Sequence, residues 1–251
     1  MRGVRVIPTL LLKDGGVVKT KKFSNHTYVG DPVNAVKIFN EKEIDELAIL
    51  DIDASKNRSE PNYELIHEIA NEAFFPLSYG GGINNLEQAK KVFRIGFEKV
   101  ILCSSALQRP ELITEISEHA GASSVVYCIN TKKNIFRDNL VFDFCTGTNT
   151  KYRPVDQAKL AQSLGAGEII IQAVDRDGMY SGYDLNTIKE VSAAVDVPVV
   201  PLGGARDISD MKAAVDAGAS AAAAGSMFIF FGKHRAVLIT YPTNAELEAT
   251  F

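Results

Sequence analysis

The chain has 251 residues, 27 Lys and Arg against 31 Asp and Glu, a formal charge of −4, and 46% hydrophobic content with no Trp. These values exclude disordered, collagen-like and low-complexity classes, and the mildly acidic balance offers no footprint for a nucleic-acid backbone. No stretch approaches the roughly 18 apolar residues of a membrane span, and the N-terminus lacks a secretory apolar region. The cysteines, Cys103, Cys128 and Cys145, are odd in number and form no CxxC pair. That usage implies a reducing, cytoplasmic setting with thiols as small buried side chains. Apolar runs predict strands at Val4–Leu12, Leu47–Ile52, Pro76–Tyr79, Val100–Cys103, Ser124–Ile129, Ile169–Val174, Pro198–Leu202 and Ser220–Ala224. Helical patterns lie between them. Asp31-Pro32 opens one, as an N-cap followed by proline at the first helical position. Near Tyr63–Phe74, Leu65, Ile66, Ile69, Ala70 and Ala73 share a face. Asn84 with Glu87 three residues on suggests a capping box. Lys13–Pro32 and Lys132–Pro154 read as long loops.

The strand spacing repeats. Pro76, Gly81, Gly82, Gly96 and Ser104 recur 122 residues later as Pro198, Gly203, Gly204, Gly218 and Ser226, and Asp53 recurs as Asp175. Two copies of four βα units make eight, the size of a TIM barrel. The expected architecture is therefore an α/β fold, a (β/α)8 barrel in one domain over 1–251, with half-barrels of about 1–121 and 122–251.

Glycine and hydroxyl residues cluster at strand C-termini, at Gly80-Gly81-Gly82, Ser104-Ser105, Gly203-Gly204 and Gly225-Ser226. Glycine lets backbone N–H groups approach an anion, and a following helix start adds a favourable dipole. Matching positions in both halves point to a substrate with two phosphate-like ends. The alternative is that these glycines only permit tight turns. Asp51 and Asp53 follow the second strand, and Asp175 and Asp177 precede Gly178 after the sixth. Carboxylates there suit acid–base work or hydroxyl binding, or else Asx-turn capping. His26, His67, His119 and His234 show no ligand spacing, so no metal site is expected, and no cofactor is implied. At the opposite strand ends stand Arg5, Glu46, Lys99 and Glu168, with zero summed charge. Four solvated surface residues would explain them. The alternation of Arg5 within its apolar run would instead turn it inward, where a charge must be paired.

Over nearly its whole length the chain resembles the cyclase subunit of imidazole glycerol phosphate synthase. The resemblance rests on Lys13-Asp14-Gly15, Gly30-Asp31-Pro32, Asp45-Glu46-Leu47, Leu50-Asp51-Ile52, Gly80-Gly81-Gly82-Ile83, Asp175-Arg176-Asp177-Gly178 and Ser181-Gly182-Tyr183-Asp184. It implies a glutaminase partner docked on the barrel floor, and ammonia passing a charged gate that Arg5, Glu46, Lys99 and Glu168 would form. It also implies substrate contacts from Gly82, Cys103, Ser104, Asp177, Gly178, Gly203, Gly204, Gly225 and Ser226, with Lys19 and Asp51 beside the chemistry. The departure is in the catalytic carboxylates. Where that family carries two Asp, this chain has Leu11 and Asn130, and Cys103 stands where Asn is usual.

Leu10-Leu11-Leu12-Lys13-Asp14 and Gly232-Lys233-His234-Arg235-Ala236-Val237-Leu238 resemble a cyclase-like subgroup of surface-polysaccharide gene sets, of the lipopolysaccharide O-antigen type. There a glutaminase-like partner and a sugar amidotransferase form acetamidino sugars. Three functions remain open at this point. The chain could be an ammonia-handling synthase subunit in sugar amidation, a histidine-pathway cyclase, or a scaffold that activates the glutaminase.

Overall fold

The computed structural model describes residues 3–232 and 234–251, so Lys233 of the Gly232–Leu238 run, and Met1 and Arg2, lie outside the described residues. Eight strands form the barrel wall: β1 (Arg5–Lys13), β2 (Leu47–Asp51), β3 (Leu77–Gly80), β4 (Lys99–Leu102), β5 (Val125–Lys133), β6 (Glu168–Ala173), β7 (Val199–Leu202) and β8 (Ala221–Ala224). Each neighbour from β1 to β7 pairs in parallel with the next. The Ser220 N–H reaches the Val199 carbonyl at 2.9 Å between β7 and β8. The wall closes where β8 pairs with β1, Arg5 opposite Ala221 and Pro8 opposite Ala224. This is the (β/α)8 barrel that the repeat predicts.

Outside the wall run α1 (Pro32–Glu41), α2 (Tyr63–Glu72), α3 (Leu86–Ile95), α4 (Glu111–Ala120), α5 (Pro154–Ser163), α6 (Leu185–Ser192), α7 (Ile208–Asp216) and α8 (Asn244–Thr250). Asp31 caps α1 as expected, accepting from the Asn34 N–H. Ile66 and Ile69 of α2 are buried, and Leu65, Ala70 and Ala73 pack beside them. The start of α3 corrects the capping-box expectation by one residue. Asn85 is the N-cap, and Gln88 reaches back to the Asn84 N–H instead. No helix among the described residues is long and apolar enough to cross a membrane.

The period-two alternation of strands sorts each wall residue to one of two cores. Val6, Leu10, Leu12, Leu47, Ile49, Val125, Tyr127 and Ile129 face the helices. Ile7, Ala48, Ile101, Val126, Cys128, Ile170, Val200, Leu202, Ala221 and Ala223 fill the lumen. Continuing that alternation toward the strand starts brings Arg5, Glu46, Lys99 and Glu168 inward as the floor layer. Continuing it toward the strand ends brings Leu11, Leu50, Cys103, Asn130 and Gln172 to the mouth.

The two segments expected as long loops are β-hairpins. Gly16–Lys21 pairs antiparallel with β1, and Ser24–Gly30 pairs with it in turn. In the second half, Asn139–Asp143 pairs with β5, and Thr148–Asn149 follows. Asp14 and Gly15 both take positive φ, 49° and 78°, as a two-residue hairpin turn of type I′ requires. The same holds for Lys22 and Phe23, at 53° and 61°.

Candidate active face and charged floor

The mouth of the barrel holds two adjoining pockets that share Leu11 and Gln172. One gathers Gly82, Cys103, Ser104, Asp51 and Asn130. The other gathers Lys19, Asp177, Gly178, Gly203, Gly204, Gly225 and Ser226. The glycine and hydroxyl candidates thus separate by repeat half, Gly82 and Ser104 in one pocket and Gly203, Gly204, Gly225 and Ser226 in the other, while Asn130 and Lys19 each cross to the other half's pocket. Leu11 lies between them, buried at 7% exposure.

The local backbone explains part of this glycine pattern without a ligand. At Gly82 (φ +72°) a Cβ would stand 2.7 Å from the Ser59 carbonyl oxygen, and at its repeat mate Gly204 (φ +109°) 2.2 Å from that of Gly182. Both positions admit only glycine, so turn packing is part of their role. Ser104 and Ser226 each open a short helix at equivalent places, Ser104–Gln108 and Ser226–Ile229.

Asp51 commits one carboxylate oxygen to its own loop. Its Oδ1 accepts from the Asp53 and Ala54 N–H groups at 3.1 and 3.0 Å, the Asx capping weighed as the plainer role. Burial raises its pKa from the usual carboxylate range, and those two N–H donors oppose the rise. Asp53 is taken up by an ion pair with Lys13, and Asp175 accepts the Lys133 N–H at 2.9 Å. Asn130 Nδ2 donates to Cys103 Sγ at 3.3 Å.

Asp177 anchors the first hairpin as well as lining the pocket. Its Oδ2 accepts from Thr20 Oγ1 at 2.6 Å and from the Phe23 N–H at 3.2 Å, while the Lys22 N–H meets its carbonyl at 3.0 Å. The Phe23 ring meets Phe144 of the second hairpin edge-on, with centroids 5.6 Å apart, so the hairpins touch over the mouth. Sequence reasoning missed Thr20, Phe23, Phe144 and Gln172. Gln172 could have been found from its period-two place after Glu168 and Ile170, whereas the Phe23–Phe144 contact joins segments that share no ladder.

Lys19 is 3% exposed and donates to the Thr9 carbonyl at 2.6 Å. Burial lowers its pKa to about 7, against the attraction of Asp177. An ordinary unfolded lysine titrates near 10.4, so between these values the unfolded chain binds more protons than the folded one. Stability should therefore rise with pH from about 7 to about 10. Lys19→Met should flatten that rise in urea titrations taken across the interval. A rise of equal slope in the variant would assign it to other groups.

At the floor the four charges meet. Arg5 spans Glu46 Oε2 at 2.5 Å and Glu168 Oε2 at 2.7 Å, and Lys99 Nζ lies 3.0 and 3.2 Å from the same two oxygens. Glu46 and Glu168 are buried, at 4% and 5% exposure. The paired, inward reading of these residues is the one observed.

The sequence model of the family described as Histidine biosynthesis protein matches residues 5–235. A Leptospira interrogans protein, provisionally named imidazole glycerol phosphate synthase subunit HisF, is 47% identical over 249 residues, 98% of each chain. A Pseudomonas aeruginosa protein, provisionally named subunit hisF2, is 48% identical over 245 residues, 97% of this chain and 98% of its own. The imidazole glycerol phosphate synthase subunit HisF of Petrotoga mobilis is 37% identical over 225 residues, 89% of each. Taken with the closed eightfold barrel, these matches show that the chain belongs to the histidine biosynthesis protein family, among its HisF-type synthase subunits.

Proposed function

We propose that the chain is a HisF-like subunit of a glutamine amidotransferase system, taking ammonia from a glutaminase at the barrel floor and delivering it at the mouth to form an acetamidino sugar for surface polysaccharide. One observation carries this reading. The floor quartet is kept as a paired, neutral set, whereas the positions of the family's two catalytic Asp are a buried Leu11 and an amide, Asn130.

Ammonia is small and neutral, and the lumen layer above the floor suits it. Ala48, Ala221 and Ala223 are small, and the rest of that layer carries no fixed charge. Loss of one positioned acid–base group typically costs about 10²–10⁴ in rate, and both are changed here. What remains at the mouth binds and orients. Lys19, titrating to about 7, can hold or release a proton beside Asp177. Asn130 can orient a carbonyl through its amide, and Asp51 can accept from a hydroxyl through the oxygen not used in the loop. The relatives at 47 and 48% bear provisional names, and the plainly named Petrotoga subunit stands at 37%.

A second reading, cyclase of histidine biosynthesis, is favoured by the two pockets at repeat-related positions, which suit a bis-phosphorylated substrate. The test supplies the purified chain with the cyclase family's bis-phosphorylated substrate and ammonium salt, and separately with a glutaminase partner and glutamine. Faster glutamine hydrolysis without imidazole glycerol phosphate is the expected result. Steady turnover to imidazole glycerol phosphate would overturn it in favour of the cyclase.

A further inference from the structure

Cys103, the residue that follows β4, stands beside Cys128 of β5. The β4–β5 ladder pairs Val100 with Val125, Ile101 with Val126 and Leu102 with Tyr127, so the next residues in register are Cys103 and Cys128. Register partners on adjacent parallel strands point to the same face, and both cysteines belong to the lumen side. Adjacent strands lie about 4.8 Å apart, inside the roughly 4.4–6.8 Å between Cα atoms that a disulfide spans. All three cysteines are free thiols.

The two sulfurs sit in different surroundings. Cys103 is half-buried on the wall of the first pocket, open to a small solute, and takes the Asn130 Nδ2–H at 3.3 Å. Cys128 lines the same pocket at 4% exposure, and its thiol faces Gln172 Oε1 at 3.7 Å and Asn130 Oδ1 at 3.9 Å. A hydrogen bond from Cys128 lowers the Cys103 pKa, with burial opposing, and the same bond together with burial raises that of Cys128. The thiol a small solute reaches is Cys103, the one whose pKa is lowered, and the shielded one is Cys128.

We propose that Cys103 and Cys128 are an oxidisable dithiol at the mouth of the lumen, with Cys103 the site attacked by a hydroperoxide and Cys128 the resolving thiol. The Cys103 thiolate displaces on the O–O bond, gaining one oxygen as a sulfenic acid while the other leaves as hydroxide, or alkoxide from an organic peroxide. The Cys128 sulfur then attacks the sulfenic sulfur, forming the S–S bond as the sulfenic oxygen departs as water. Two electrons pass from the sulfurs to the peroxide, and with hydrogen peroxide the balance is two thiols consumed and two waters made. The bond ties the end of β4 to β5 and alters the sulfur that Asn130 Nδ2 donates to. This inference is independent of which product the barrel helps to make.

The test treats the purified chain with hydrogen peroxide and counts thiols, then maps peptides without reductant. The expected result is a fall from three free thiols to one, with the Cys103 and Cys128 peptides joined and released by dithiothreitol. In Cys128→Ser, Cys103 should stop at the sulfenic acid and be captured by dimedone. In Cys145→Ser the link should form as in the parent. Cys103 should also alkylate on the order of tenfold faster than Cys128 under iodoacetamide. Oxidation that leaves Cys103 and Cys128 unlinked, or a Cys128→Ser chain whose Cys103 yields no dimedone adduct, would overturn the proposal.

Discussion

Lys99→Ala is expected to destabilise the barrel by about 3 kcal/mol, the low end for breaking a buried charge pair, because Lys99 keeps 17% side-chain exposure and Arg5 remains. Without Lys99, Glu46 and Glu168 keep Arg5 as their shared cation. The loss is read from urea midpoints of parent and variant, and equal midpoints would mean that the lysine adds nothing to the pairing. The same variant tests delivery of ammonia. With a glutaminase present, hydrolysis of glutamine should continue while nitrogen transfer falls, and unchanged coupling would remove the floor quartet from any part in transfer.

The parts of this architecture that follow from period and repetition were legible in the sequence. The 122-residue recurrence of Pro76, Gly82 and Ser104 sets eight units, and the alternation Arg5, Ile7, Thr9, Leu11 places one charge at the floor and one apolar residue at the mouth. The hairpins were legible only in part. Asp14-Gly15 is a favoured type I′ pair between apolar alternations and could have been read as a turn. Lys22-Phe23 adopts the same conformation without glycine, so no local signal marks it. What holds that turn is Asp177, 154 residues away, through the Phe23 N–H. A carboxylate that looks like a catalytic candidate at a strand end is thus also a fastening for another loop. The boundary shifts have a simpler origin. The β5 strand runs to Lys133 because its last residues pair with the hairpin strand Asn139–Asp143, a partner invisible while that segment is read as irregular. Cys103 and Cys128 each looked like an isolated buried thiol, and only the β4–β5 register sets them side by side.

The second large effect concerns the mouth. A Leu11→Asp, Asn130→Asp double variant is expected to raise imidazole glycerol phosphate formation from ammonium and the bis-phosphorylated substrate by about 10²–10⁴ over the parent. Apart from Cys103, which stands where Asn is usual in the resemblance, the candidate substrate residues are present. Leu11 lies in both pockets and Asn130 in the first, so acids at these positions would flank the space between the two candidate anion cradles. A carboxylate at position 11 would share its pocket with Lys19, whose ammonium would offset part of its desolvation and would itself be held charged to higher pH. The pH dependence of Lys19 should thus move upward in the double variant, which gives a readout separate from turnover. Asp at position 130 would lose the amide donor to Cys103, so a raised Cys103 pKa and slower alkylation should accompany the change. If the parent chain already turns the substrate over at the rate of the double variant, acid–base chemistry is supplied by other groups, and the absence of the Asp pair says nothing about function. If only the double variant turns it over, the parent barrel retains the binding frame of a cyclase while lacking its proton transfers. The proposed passage of ammonia would be untouched in such a barrel, because the floor charges and the apolar lumen layer do not include the residues at 11 and 130.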